Sequence, residues 1–145
     1  MTDALLKNLT ELSRKLNEGS DLVSQRIAQL ESALNELKLG VAAWVEIRVW
    51  EQMLDEPTGQ TIECEKRLGY DKYNGKWGFV LSQGHPAFDD YEQVFLRDAT
   101  RDDRLEAVEK LPRLIQELEA EARKLDKKVA SSAKAVQSMV EAIAQ

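Results

Sequence analysis

The chain has 145 residues, 43% of them apolar and 32% charged, with a net charge of −6, enough for one domain with a core. That balance weighs against general nucleic-acid binding, which needs a basic surface. The single Cys64 excludes an internal disulfide. No apolar run approaches the roughly 18 residues of a membrane span, and the N-terminus lacks a signal-peptide pattern, so the expected location is the reducing cytoplasm.

Residues 2–39 carry Leu5, Leu9, Leu12, Leu16, Val23, Ile27, Leu30, Leu34 and Leu37 at spacings of mostly three or four, the signature of an amphipathic helix. Thr2 or Asp3 can cap its start, and Gly40 provides a stop. The repeat slips phase at Gly19, Ser20 and Asp21. Either the supercoil unwinds locally there or the helix breaks with Ser20 as a new N-cap, and the continuous helix is the slightly better fit.

The middle of the chain reads as sheet, and every Trp, Tyr and Phe lies between Trp44 and Phe95. A first strand spans Val41 to Leu54, with Val41, Ala43, Val45, Ile47 and Val49 alternating against Ala42, Trp44, Glu46, Arg48 and Trp50. Asp55 to Gln60 forms a turn, a second strand runs from Thr61 to Tyr73, and Asn74-Gly75 signals a tight hairpin. A third strand covers Lys76 to Ser82 and a short fourth Tyr91 to Leu96.

The two-residue turn sets Tyr73 opposite Lys76, Tyr70 opposite Phe79 and Leu68 opposite Leu81. A six-residue first loop would set Ile47 opposite Leu68 and Val45 opposite Tyr70. One apolar face then comprises Val45, Ile47, Val49, Ile62, Leu68, Tyr70, Trp77, Phe79 and Leu81, with Leu37 and Leu105 at the helix ends expected to cover it.

The C-terminal segment starts at Asp98 or Thr100, with Asp103 placed for a capping box. Pro112 should kink the helix or divide a short first helix, about 99–110, from a long second one. Val108, Leu111, Ile115, Leu118, Ala122, Leu125, Val129, Ser132, Val136, Met139 and Ile143 keep a three-four alternation over five heptads. The organisation is therefore α+β: a helical arm (1–39), an antiparallel β-meander of three or four strands (40–97) and a second helical arm (98–145).

The simplest arrangement lays the arms side by side, antiparallel. One seam between rods of this length rarely offsets their ordering entropy, so a dimer or higher oligomer is expected, with the helices paired as an antiparallel coiled coil or four-helix bundle. Ile115, Leu118, Leu125, Val129, Val136, Met139 and Ile143 are the expected seam.

Among residues that could carry chemistry, the expected register gathers Trp44, Arg48, Trp50, Arg67, Tyr73 and Lys76 on the second sheet face. Arg48 would oppose Arg67, a repulsive pair unless an acid or an anionic ligand answers it. Gly69 and Gly78 would leave the sheet bare beside them. Paired guanidinium groups framed by aromatic rings suit a small anion bearing a flat ring, and contact with a partner subunit is the competing use.

The hairpin from Lys66 to Trp77 carries +3, from Lys66, Arg67, Lys72 and Lys76 against Asp71. Its residues alternate between faces, so they form no single patch for a nucleic acid. His85 has no histidine partner and one distant cysteine, which gives no metal site. Cys64 points to the apolar face as a small core residue, and Asp102, Asp103, Glu106 and Glu109 read as a solvated helix start. A glycine-rich phosphate loop, a Gly-x-Ser-x-Gly elbow and a His-Glu-x-x-His pair are all missing, so neither an enzyme nor a cofactor is expected.

The stretch Leu68-Gly69-Tyr70-Asp71-Lys72-Tyr73-Asn74-Gly75-Lys76-Trp77-Gly78, followed by Arg101-Asp102-Asp103-Arg104-Leu105-Glu106-Ala107-Val108-Glu109-Lys110-Leu111-Pro112, resembles a pattern in uncharacterised bacterial and mobile-element proteins. That resemblance implies no activity. In shape alone, helix, hairpins and helix look like a prefoldin subunit, which implies a chaperone clamp. The expected function is thus a non-enzymatic, homo-oligomeric interaction protein that could also engage another protein; a binder of a small anionic or nucleotide-like ligand and a prefoldin-like clamp are the alternatives.

Overall fold

The computed structural model describes residues 2–145. Helix α1 (Asp3–Leu37) runs without a break through Gly19, so the phase slip is absorbed within one helix. Lys38 ends it in a left-handed conformation at φ 51°, donating its N–H to Asn35 O at 3.2 Å. Strands β1 (Ala43–Asp55), β2 (Gln60–Tyr73), β3 (Lys76–His85) and β4 (Asp90–Phe95) form one antiparallel meander in the order β1-β2-β3-β4. A 3₁₀ turn over Leu96–Asp98 leads into α2 (Arg101–Val108) and α3 (Leu111–Ala144). Thr100 caps α2 by accepting from the Asp103 N–H at 3.3 Å, and Pro112 lies in the first turn of α3, where its missing N–H costs nothing.

The β2–β3 hairpin has the expected register, with Tyr73 opposite Lys76, Tyr70 opposite Phe79 and Leu68 opposite Leu81. Asn74 and Gly75 both take positive φ, 50° and 79°, as a type I′ turn requires. The β1–β2 pairing differs from expectation. It leaves the turn with Asp55 opposite Gln60, then shifts by one residue between Met53 and Asp55 and again between Glu46 and Arg48. Val45 therefore opposes Leu68 rather than Tyr70, and Ile47 is the extra residue of a bulge.

Between the two shifts every β1 side chain changes face. Arg48 and Trp50 join Lys66 and Cys64 on the helix-covered side, while Val49, expected in the core, is exposed. The core itself combines Ala43, Val45, Leu68, Tyr70, Phe79 and Leu81 from the sheet with Ile27, Leu34, Leu96, Ala107, Leu114 and Leu118. Leu37 and Leu105, expected to cover this face, are exposed; the covering residues sit one turn away, and on the other side of α2.

The opposite face closes on itself. Trp44 lays its ring over Gly69, where an added Cβ would meet it at 2.3 Å, and its Nε1 donates to Asp71 at 2.9 Å. Phe95 lies against Gly78 and meets Tyr73 edge-on at a centroid distance of 5.1 Å. Tyr91 crosses Gly84 to donate to Glu65 at 2.9 Å. Gly69 and Gly78 thus give the Trp44 and Phe95 rings room, Gly84 admits the close backbone of β4, and Val80 and Ser82 are buried without a second layer.

The arms leave this body. Beyond the core, Leu5, Leu6, Leu9, Leu12, Leu16 and Leu22 of α1 and Leu125, Val129, Val136, Met139, Val140 and Ile143 of α3 are 39 to 86% exposed. The two helices, each roughly 50 Å long, do not cover one another along their length as a side-by-side pair would.

Candidate functional site

The six residues expected to share a ligand face are separated by the bulge at Ile47. Trp44, Arg67 and Tyr73 lie on the self-covered face, Arg48 and Trp50 on the helix-covered face, and Lys76 at the hairpin end. Arg67 opposes Glu46 and sits over the Trp44 ring at 5.0 Å, whereas Arg48 opposes Lys66 and sits over Trp50 at 4.3 Å. The repulsive Arg48–Arg67 pair does not form. Gly69 and Gly78 are not bare either: the Trp44 ring occupies the first, and Glu31 and Phe95 the second.

A charged network docks α2 on the sheet. Lys66, 3% exposed, alternates with Cys64 and Leu68 on the covered face, so its ammonium must be answered from above. Asp103 accepts from it in a short hydrogen bond and Glu106 at 2.5 Å; Glu106 also accepts from Arg48 at 2.9 Å. Burial pulls the Lys66 pKa down, but the hydrogen bonds and charges of Asp103 and Glu106 outweigh it and leave the value raised. Asp103 is lowered, chiefly by the hydrogen bond from Lys66. These two acids, expected merely to solvate the helix start, are its anchors.

Glu31 does the same work on α1. Four residues after Ile27 and three before Leu34, it falls on the buried stripe, and its oxygens accept from the Phe79 N–H at 2.9 Å and from Arg97 at 2.8 Å. Phe79 lies beyond the last β3–β4 pair, Val80 with Phe95, so Glu31 satisfies an edge donor that the short β4 leaves unpaired. A charge at a core-facing helical position was the sequence signal for this role.

Cys64 and His85 are neighbours, contrary to the sequence expectation of a distant cysteine. Sγ and Nδ1 lie 3.3 Å apart beside a small cavity of about 210 Å³. Gln52 Oε1 at 3.6 Å and Ile62 O at 3.8 Å are acceptors within reach of the same buried thiol, which sits in a polar cluster. Among the described residues, no three His, Cys, Asp or Glu side chains are grouped to hold a metal ion, and no helix is long and apolar enough to cross a membrane.

A half-open space of about 460 Å³ lies between the end of α1 and the β2–β3 hairpin. Lys38, Lys76 and Arg97 border it with Asn35, Tyr70 and Trp77. Trp77 stacks on Tyr70 at a centroid distance of 5.5 Å and 27°. The Tyr70 hydroxyl, whose pKa is raised by burial and by the Glu31 charge, donates to Asn35 Oδ1 at 2.5 Å, and Asn35 Nδ2 donates to Trp77 O at 3.2 Å. Of the expected ligand residues only Lys76 borders this space. Lys38, Arg97 and Asn35 have no spacing in the sequence that relates them.

On α3, Ser132 and Ala133 form a shallow depression between Val129 and Val136, the shape of a hole for a knob from a facing helix. Two residues of the expected seam serve the chain's own core instead: Leu118 is buried there and Ile115 packs against it. The remaining five, Leu125, Val129, Val136, Met139 and Ile143, are exposed. Comparison of the chain with protein-family models, with curated proteins and with solved structures gives no match.

Proposed function

We propose that this chain is a homo-oligomeric interaction protein whose helical arms form the contact surface. The observation that carries the reading is the pair of apolar stripes, Leu5 to Leu22 and Leu125 to Ile143, standing exposed beyond a core that is already closed. A second copy is the occupant, because each chain carries two stripes of similar length at heptad spacing, both without a cover of their own. Burying them stabilises rods that would otherwise be marginal in water. The interaction role needs no chemistry beyond this burial, and the β-module holds the arms at fixed positions through the Glu31 and Lys66 anchors.

Sedimentation equilibrium tests the reading. A dimer or higher species at micromolar concentration is expected, and Leu125→Asp, which sets an unpaired charge in the seam, should dissociate it while the sheet persists. A wild-type monomer with both arms helical overturns the proposal.

A further inference from the structure

The cavity at the end of α1 gathers three cations beside a stacked aromatic pair at the edge of the core. Lys38, Lys76 and Arg97 come from three separate parts of the chain and converge there in a protein of net charge −6. The carboxylate closest to this group in the hydrogen-bond network, Glu31, is already engaged by Arg97 and the Phe79 N–H. Lys38 and Lys76 have no ion-pair partner among the described residues. The two lysines therefore bring positive charge that no ion pair answers, while Arg97 is shared with Glu31.

Its aromatic wall is fixed in place. Asn35 accepts from the Tyr70 hydroxyl and donates to the Trp77 carbonyl, so one amide ties α1 to both residues of the stacked pair. A prearranged flat wall and cations on flexible stems recognise different parts of one ligand: the ring stacks and the ammonium groups meet its anion. At about 460 Å³ the space lies within the roughly 300–1,000 Å³ common for small-molecule sites.

We propose that this cavity binds a nucleoside phosphate, its base against Trp77 and its phosphates between Lys38, Lys76 and Arg97. An inorganic anion would leave the aromatic wall unused, and an uncharged nucleoside would leave the cations unused. The site is independent of the assembly reading, since none of these residues belongs to the exposed stripes.

The test is a titration of the full chain with ADP, adenosine, inorganic phosphate and a single-stranded oligonucleotide, followed by tryptophan fluorescence and by melting temperature. ADP is expected to quench saturably and to raise the melting temperature, with adenosine and phosphate each binding about tenfold or more weaker, the size of a lost charge-assisted contact. Lys38→Glu combined with Lys76→Glu changes two exposed side chains, so the fold should persist by circular dichroism while ADP affinity falls at least about tenfold. Trp77→Phe should remove most of the quench and leave the signals of Trp44 and Trp50. The proposal is overturned if ADP neither quenches nor stabilises, if the double charge reversal binds ADP as wild type does, or if the oligonucleotide binds more tightly than ADP.

Discussion

The inner and outer parts of the same helices have the same apolar spacing and opposite fates. Ile27 and Leu34 of α1 and Leu114 and Leu118 of α3 are buried against the sheet, whereas Leu5 to Leu22 and Leu125 to Ile143 continue the pattern into solvent. Periodicity shows that a stripe calls for a cover. It does not show which surface supplies that cover, because the spacing is the same whether the neighbour is the chain's own sheet or another molecule.

The same charge placed in both parts should have the most different outcomes. Leu114→Asp buries an unpaired carboxylate in a closed core and should abolish cooperative folding, read as loss of the denaturation transition. Leu125→Asp should leave the sheet's transition in place and change only the mass in sedimentation. Equal loss of folding from both substitutions would mean that arms and core form one cooperative unit.

The anchors come next. Replacing both Asp103 and Glu106 by Ala strands the Lys66 ammonium and should cost about 3 kcal/mol, the lower end of the range for a broken buried pair because the two acids are partly exposed. Lys66→Met removes the charge itself and should stay within about 1 kcal/mol of wild type in urea. Glu31→Ala leaves the Phe79 N–H and Arg97 unanswered, for a loss of about 1–3 kcal/mol, while Glu31→Gln keeps an acceptor and should lose less.

The smallest effect is a pH dependence. The lowered Asp103 pKa contributes stability that is present above the unfolded carboxylate value of 3.8 and is lost as pH falls through the lower folded value. The raised Lys66 pKa contributes stability that is present below 10.5 and is lost as pH rises through the higher folded value. Melting measured across pH should show both limbs in wild type, and both should flatten in Lys66→Met.

Much of the fold was legible in the residues. The Asn74-Gly75 turn set the β2–β3 register because only φ-positive residues close so short a loop. Thr100 with Asp103 and Pro112 marked where the last helices begin, since caps and a missing N–H act locally. The alternation of Leu68, Tyr70, Phe79 and Leu81 placed the core face of the sheet.

Tertiary structure decided what local rules leave open. The two one-residue shifts in β1 have no turn-like signature, yet they moved Arg48 and Trp50 to the face opposite Trp44 and dissolved the expected ligand surface. Glu31, Lys66, Asp103 and Glu106 became partners only when α1 and α2 were laid on the sheet, and Lys38, Lys76 and Arg97 met only around the cavity so formed. Spacing, caps and turns are encoded within a few neighbouring residues, and the sequence alone determines them. Pairing between distant residues depends on register and docking, where one inserted residue reverses every side chain along a strand.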